Sequence, residues 1–319
     1  MAKRVLFVDA LNMLYRAYIV DPSLSTNGHP IGGVKGFLKI LQKLIREMKP
    51  DAVVIAWDGV GGSRKRRLIN KNYKSGRKPI RLNREIRNLN ENEEVENKIW
   101  QQTRLTEYLN NLPVSQVMVP SVEADDIIAY CAQIQHFKGW QKIIVSSDKD
   151  FIQLCDNETV LYRPIQKVFL NSKRVLEEYG IHPVNFALAR ALSGDKSDNL
   201  PGVPGVGMKT VSKRFPFFAE GKVCDINFLY DYCKDRQEEK VKVYKSIVEN
   251  IEIVKENYKL MQLYAPNIHL QGKQSVRAAV EDFQLEFNKT GVICMMNEDG
   301  FGAYDWNDLF TASKRMVRG

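Results

Sequence analysis

Four short apolar runs, at residues 5–8, 52–57, 116–119 and 142–145, have the length of buried strands and are too short for core helices. Between them apolar positions recur every three or four residues, at 34–48, 100–112 and 124–135, the spacing of helices with one buried face. This alternation predicts an α/β fold: a central, mostly parallel, twisted sheet with helices on both faces. Past Phe151 the pattern changes. Residues 175–192 read as one helix, 200–209 as a Gly/Pro-rich turn, and the rest as mainly helical, notably 237–263. The expected division is an α/β core over residues 1–175 and a helical region over 176–319. An arm is inserted at about 61–97, and its Asn/Glu-rich end, 89–97, reads as a flexible continuation.

Composition narrows the chemistry. The 319 residues, 44% hydrophobic, can fill a substantial core. No apolar run approaches the roughly 20 residues of a membrane span, so a cytoplasmic protein without a membrane partner is expected. The five cysteines are scattered with no C-x-x-C pair, and the four histidines show no H-x-x-H or H-E-x-x-H spacing. Disulfides, structural zinc, a zinc hydrolase and a Ser-His-Asp triad are all disfavoured. Carboxylates must carry any catalysis.

The formal charge of +9 is concentrated. Residues 64–87 hold eleven Lys or Arg, including Arg64, Lys65, Arg66, Arg67, Lys74 and Arg77, against the single acid Glu85, so this block accounts for the whole net charge. A solvated surface helix explains charges but not their single sign, which fits a polyanion such as nucleic acid. Within the block Tyr73 adds a ring able to stack on a base beside phosphate-neutralising cations.

Acids collect at the strand ends. Asp9 follows the first run, Asp58 the second, and Asp148 with Asp150 the fourth. The third leads into Glu123, Asp125 and Asp126, where i,i+3 spacing puts Glu123 and Asp126 on one helical face and, if the helix has already begun, turns Asp125 elsewhere. Asp195 and Asp198 form a last pair. Any one of these acids is more often a cap, a turn residue or a surface charge. Together, at the carboxyl ends of strands in an open α/β sheet, they point to one crevice. Their mutual repulsion calls for hard divalent cations, and two magnesium ions ~3.5–4 Å apart would clamp an in-line phosphoryl displacement.

Residues 200–210 invite a P-loop reading, because Gly202 and Gly207 have Walker spacing and Lys209 follows. However, Met208 intervenes before Lys209, and no buried strand precedes the loop. A helix-hairpin-helix fits better, with Gly202, Gly205 and Gly207 permitting the turn and Lys209 meeting a phosphate.

In this order the motifs VDALN, AWDG, YKSGR, VEADD, SSDKD and GDKSDNLPGVPGVG resemble the flap endonuclease and 5′-3′ exonuclease family, over about residues 3–215. The resemblance implies a helical arch at about 61–97 through which a 5′ strand threads, and a helix-three-turn-helix that grips duplex. It implies metal ligands at Asp9, Asp58, Glu123, Asp125, Asp126, Asp148, Asp150, Asp195 and Asp198. Lys74 falls where the family has an arch lysine acting on the scissile phosphate, and Arg66 falls near an arch arginine of similar role. Two Mg2+ ions, replaceable by Mn2+, are implied, with K+ near residues 203–206. The expected activity is a monomeric structure-specific 5′ nuclease acting on DNA with a 5′ flap, nick or free 5′ end, and on RNA–DNA hybrid, in replication primer removal beside other replication proteins. The rivals are a catalytically silent DNA-binding protein of this fold, an RNA-cutting nuclease with a similar acidic pocket, and a P-loop ATPase.

Overall fold

In the computed structural model, which describes residues 2–318, the chain opens with β1 (Arg4–Asp9), α1 (Ala10–Val20), α2 (Gly32–Met48) and β2 (Ala52–Trp57). A short α3 (Arg64–Ile69) and a run of turns lead to α4 (Glu91–Asn110), β3 (Ser115–Met118), α5 (Ala124–Gln133) and β4 (Gln141–Val145). After β5 (Thr159–Arg163) and β6 (Val168–Leu170) come α6 (Ser172–Tyr179), α7 (Phe186–Ser193), α8 (Met208–Arg214), α9 (Ile226–Lys234) and α10 (Lys242–Glu249). The chain then finishes with α11 (Ile251–Met261), α12 (Leu270–Glu281), α13 (Lys289–Glu298) and α14 (Asn307–Arg318). No helix among the described residues is long and apolar enough to cross a membrane.

The strand order is β3-β2-β1-β4-β5-β6, parallel except for β6, which runs antiparallel to β5. Val5 of β1 lies opposite Ala52 on one side and Lys142 on the other. Successive side chains of a strand point to opposite faces, so β1 feeds two cores. Val5 and Phe7 join α5, α7 and α8 on one face; Leu6 and Val8 join α1, α2, α4 and α14 on the other. Both cores cross residue 175, since the first includes Val206 and Phe215 and the second includes Trp306 and Phe310. The sheet grows outward from β1 to β3 and then resumes with β4 on β1's other side. That reversal opens a crevice at the carboxyl ends of β1 and β4.

The four expected strands are all present, and β5, β6 and α1 add to them. The helix expected at 175–192 is broken, because Gly180 takes a left-handed φ of 65° and ends α6, and Pro183 starts a new turn. The helix expected at 237–263 divides at Asn250, which caps α10. Residues 89–97 are not a flexible continuation. They hold the start of α4, where the Asn90 side chain accepts from the Glu93 backbone and the Glu93 side chain accepts from the Asn90 backbone. Glu91, Glu93 and Glu94 in that first turn also favour a helix N-terminus.

Candidate active site

The crevice contains a cavity of about 720 Å³ walled by Asp9, Asp58, Glu123, Asp125, Asp148 and Asp195. The acids arrive on five pieces of backbone, with Glu123 and Asp125 sharing the start of α5. Asp9 ends β1 and caps α1, accepting from Asn12 N at 3.2 Å and Ser146 Oγ at 3.0 Å. Asp58 follows β2 and accepts from Ala124 N at 2.7 Å, which pins the start of α5 to the sheet. Asp148 accepts from Asp150 N at 2.8 Å in the turn after β4. Asp195 begins the loop after α7 and accepts from Ser197 N and Oγ, both at 2.7 Å. That loop folds tightly because Gly194 and Gly202 lie backbone to backbone: a Cβ on Gly194 would sit 2.3 Å from Gly202 N. Gly194 also has a φ of +73°, a conformation glycine adopts without penalty.

Behind this wall stands a second row of acids, each held by a guanidinium. Asp126 accepts from Arg66 at 3.2 Å, Asp150 from Arg190 at 3.1 Å, and Asp198 from Arg77. Asp126, Asp150 and Asp198, expected among the ligands, do not line the cavity. The sequence-based face assignment at α5 is corrected: Glu123 is still extended, with φ −81° and ψ 153°, so helical counting starts at Ala124. Asp125 thus meets the cavity, while Asp126 turns back to accept from Asn267 N at 2.8 Å.

Residues 64–77 form a strap that lies on these acids rather than an arch standing clear of them. Arg66 is only 5% exposed; it binds Glu123, Asp125 at 3.1 Å and Asp126, and its Nε donates to the Leu260 carbonyl at 3.0 Å. Tyr73 is 3% exposed, with its hydroxyl donating to Glu123 at 3.2 Å, so it cannot offer its ring to a base in this arrangement. The expected stacking role is corrected, because Tyr73 packs with Leu200, Leu260 and Met261. Lys74 reaches Glu123 at 2.6 Å and lines the cavity, as does Arg77. Of the other expected DNA contacts, Arg64, Arg67 and Lys209 are exposed, and Lys65 leans on Asn267 at 3.4 Å. Gly202 is half-buried at the base of the hairpin; Gly205 and Gly207 are exposed at its turn, away from the cavity wall.

Burial and the nearby Asp58 and Asp148 push the Asp9 carboxyl up to about 7. Burial also raises Asp58, Asp148 and Asp150 above the usual carboxylate range. Asp125 goes the other way: burial would raise it, but Arg66 and Lys74 outweigh burial and hold it low. The wall offers only oxygen donors of high charge density, with no His or Cys, the donor set that hard divalent ions take. Among the described residues no three of these side chains converge on one point closely enough to ligate an ion as they stand. Lys74, Arg66 and Arg190 hold the oxygens instead, so divalent ions suit the chemistry of the wall and would have to displace cations of the protein. Arg190, a lone arginine within α7, belongs to no motif, and nothing in its sequence surroundings marks it as part of the site.

Residues 4–180 match the family model described as the 5′-3′ exonuclease, N-terminal resolvase-like domain. The 5′-3′ exonuclease of Aquifex aeolicus is 30% identical over 213 residues, covering 65% of this chain and 67% of that protein. The thermostable DNA polymerase I of Thermus aquaticus is 33% identical over 211 residues, which are 66% of this chain and 23% of the polymerase. In structure, the chain resembles the bacteriophage T5 flap endonuclease solved with DNA and metal ions. The TM-score is 0.65 at 16% identity, over 93% of this chain and 98% of that one, a likeness of fold.

Proposed function

The chain belongs to the 5′-3′ exonuclease family, and from that premise we propose that it is a magnesium-dependent, structure-specific nuclease. In this reading it hydrolyses phosphodiester bonds near the 5′ end of flapped, nicked or RNA-primed DNA during primer removal. The observation that carries the reading is the wall of acids from five separate strand ends and loops, roofed by a strap of opposite charge. Asp9, Asp58, Glu123, Asp125, Asp148 and Asp195 would hold two divalent ions, with Asp126, Asp150 and Asp198 orienting that wall from behind. When bound, such a pair supplies Lewis acidity at a phosphodiester and eases deprotonation of water.

The chain's own groups divide the remaining work. Lys74 Nζ, once released from Glu123, lies at the cavity and supplies a charge to the attacked phosphate. Arg64 and Arg67 face solvent on α3 and meet the single strand's backbone. Residues 176–319 supply the duplex grip, with Lys209 at the start of α8 on a phosphate and the turn at 203–206 as the place for K+.

Asp58→Asn and Asp148→Asn test the reading. Each removes one charge at nearly constant volume. Binding of a 5′-flap duplex in Ca2+ should hold or strengthen, while cleavage in Mg2+ falls by orders of magnitude. Parental cleavage by both variants at saturating Mg2+ would make these carboxylates structural. Parental binding without any cleavage by the unmodified protein would favour the silent DNA-binding rival.

A further inference from the structure

The acids of the site come from separate strand ends and from the loop after α7, and no backbone pairing joins the turn after β4 to that loop. Arg190 does. Its Nε donates to Asp150 Oδ1 at 3.1 Å, and a terminal nitrogen donates to Asp195 Oδ2. The side chain is 14% exposed and lines the cavity. One planar guanidinium thus bridges an acid of the wall and an acid behind it, the geometry its fork of donors matches best.

Lys74 and Arg77 reach the site from the strap, whereas Arg190 reaches it from α7, whose end is fixed twice. The Arg190 carbonyl accepts from Gly194 N at 2.8 Å, ending α7 where the acidic loop departs. One residue on, the Ala191 carbonyl accepts from the buried Asn257 Nδ2 at 3.0 Å, and the same nitrogen donates to the Pro201 carbonyl at 2.8 Å across the base of that loop.

We infer that Arg190 is a positioning residue that, by bridging Asp150 and Asp195, holds the turn after β4 and the acidic loop at the separation at which the ions proposed above would bind. The inference rests on the metal centre proposed above. A guanidinium in that position does two opposed things. It repels an incoming dication, and it keeps the turn after β4 and the acidic loop at the separation in which an ion is useful. Its removal should therefore tighten metal binding and slow cleavage together. A side chain that served only to stabilise the fold would not do this, because its loss would weaken binding or leave it unchanged.

The test is calorimetric titration of the full chain with Ca2+, without DNA, beside cleavage of a 5′-flap duplex in Mg2+. Arg190→Gln should bind Ca2+ about tenfold more tightly than the parent, from the loss of one nearby positive charge. Its kcat should drop at least about tenfold. Arg190→Lys keeps the charge but cannot bridge both carboxylates, so its Ca2+ affinity should stay near the parent's while its kcat falls. A folded Arg190→Gln that binds Ca2+ no more tightly than the parent overturns the role and leaves the metal centre standing. If Arg190→Gln does not fold, Arg190→Lys decides alone, and a parental kcat in that variant overturns the role. A parent that takes up no Ca2+ overturns both the metal centre and the role of Arg190 within it.

Discussion

Arg66 and Arg67 are neighbours in one basic run, yet they face opposite environments. Arg66 is buried among Glu123, Asp125 and Asp126, and Arg67 is exposed on α3. Deleting a buried cation strands its carboxylates in a poorly solvated place, a loss of about 3–5 kcal/mol. Arg66→Leu should therefore lower the urea midpoint strongly, and added Ca2+ should recover more stability in this variant than in the parent. Arg67→Ala should leave stability unchanged within about 0.5 kcal/mol and reduce the salt slope of DNA binding by about one unit. A reversed pattern, with Arg67 holding the fold and Arg66 setting the salt slope, would mean the strap lies differently. The sequence announces the sign of this block plainly, because eleven like charges need no structure to be counted. It could not announce which of four consecutive cations turns inward, since that choice is made by the Leu260 carbonyl, almost two hundred residues away. Tyr73 was misread for the same reason: a ring among lysines suggests stacking until Leu200 and Met261 are seen to cover it.

At the scale of elements, α3 is a helix of six residues, too short to persist unless it is packed. Asn70 donates to Glu256 at 2.7 Å, and with Arg66 on Leu260 and Lys65 on Asn267 it docks α3 onto α11 and the loop beyond. Residues 77–90 form no helix or strand and include the exposed Arg84 and Arg87. Limited trypsin digestion of the free protein should nick after Arg84 and Arg87 well before Arg67 and Lys71, as read by mass spectrometry of the first fragments. First cuts at Arg67 would show that the strap stands clear of α11. The elements that were legible were those whose own sequence decides them. β1 and β2 show themselves in the apolar runs at 5–8 and 52–57, which are long enough for strands and too short for helices. The start of α4 was legible in principle, in the Asn90-x-x-Glu93 capping pair, but its polar composition masked it. β6, with three residues, has no signal of its own, because its identity as a strand comes from pairing with β5.

Across the whole molecule, the fold was open to reading because alternating strands and helices allow few arrangements, and the acids at their ends converge by topology. The second row of the site was not, since which acid faces an ion and which faces a guanidinium depends on three-dimensional neighbours such as Arg190. That same crowding makes stability depend on pH in a direction that can be worked out. Asp9 and Asp126 are raised to about 7, and Asp58, Asp148 and Asp150 are raised as well, in each case first by burial. A raised folded-state pKa means that the proton is held more tightly in the folded protein. Each such group contributes stability that is full below about pH 4 and lost as pH rises through its folded value. Asp125 and Asp195 are lowered and act in the opposite sense, but their window lies below pH 4. His182, lowered by burial, opposes the trend near neutrality as one group against five. With chelator present, the unfolding temperature should therefore fall between pH 5 and pH 8. Ca2+ replaces the protons that the acids would otherwise hold, so the stabilisation by a fixed Ca2+ concentration should grow over the same interval, measured by thermal unfolding at each pH. A Ca2+ effect that is constant with pH, or larger at pH 5, would show that the ion binds away from these carboxylates.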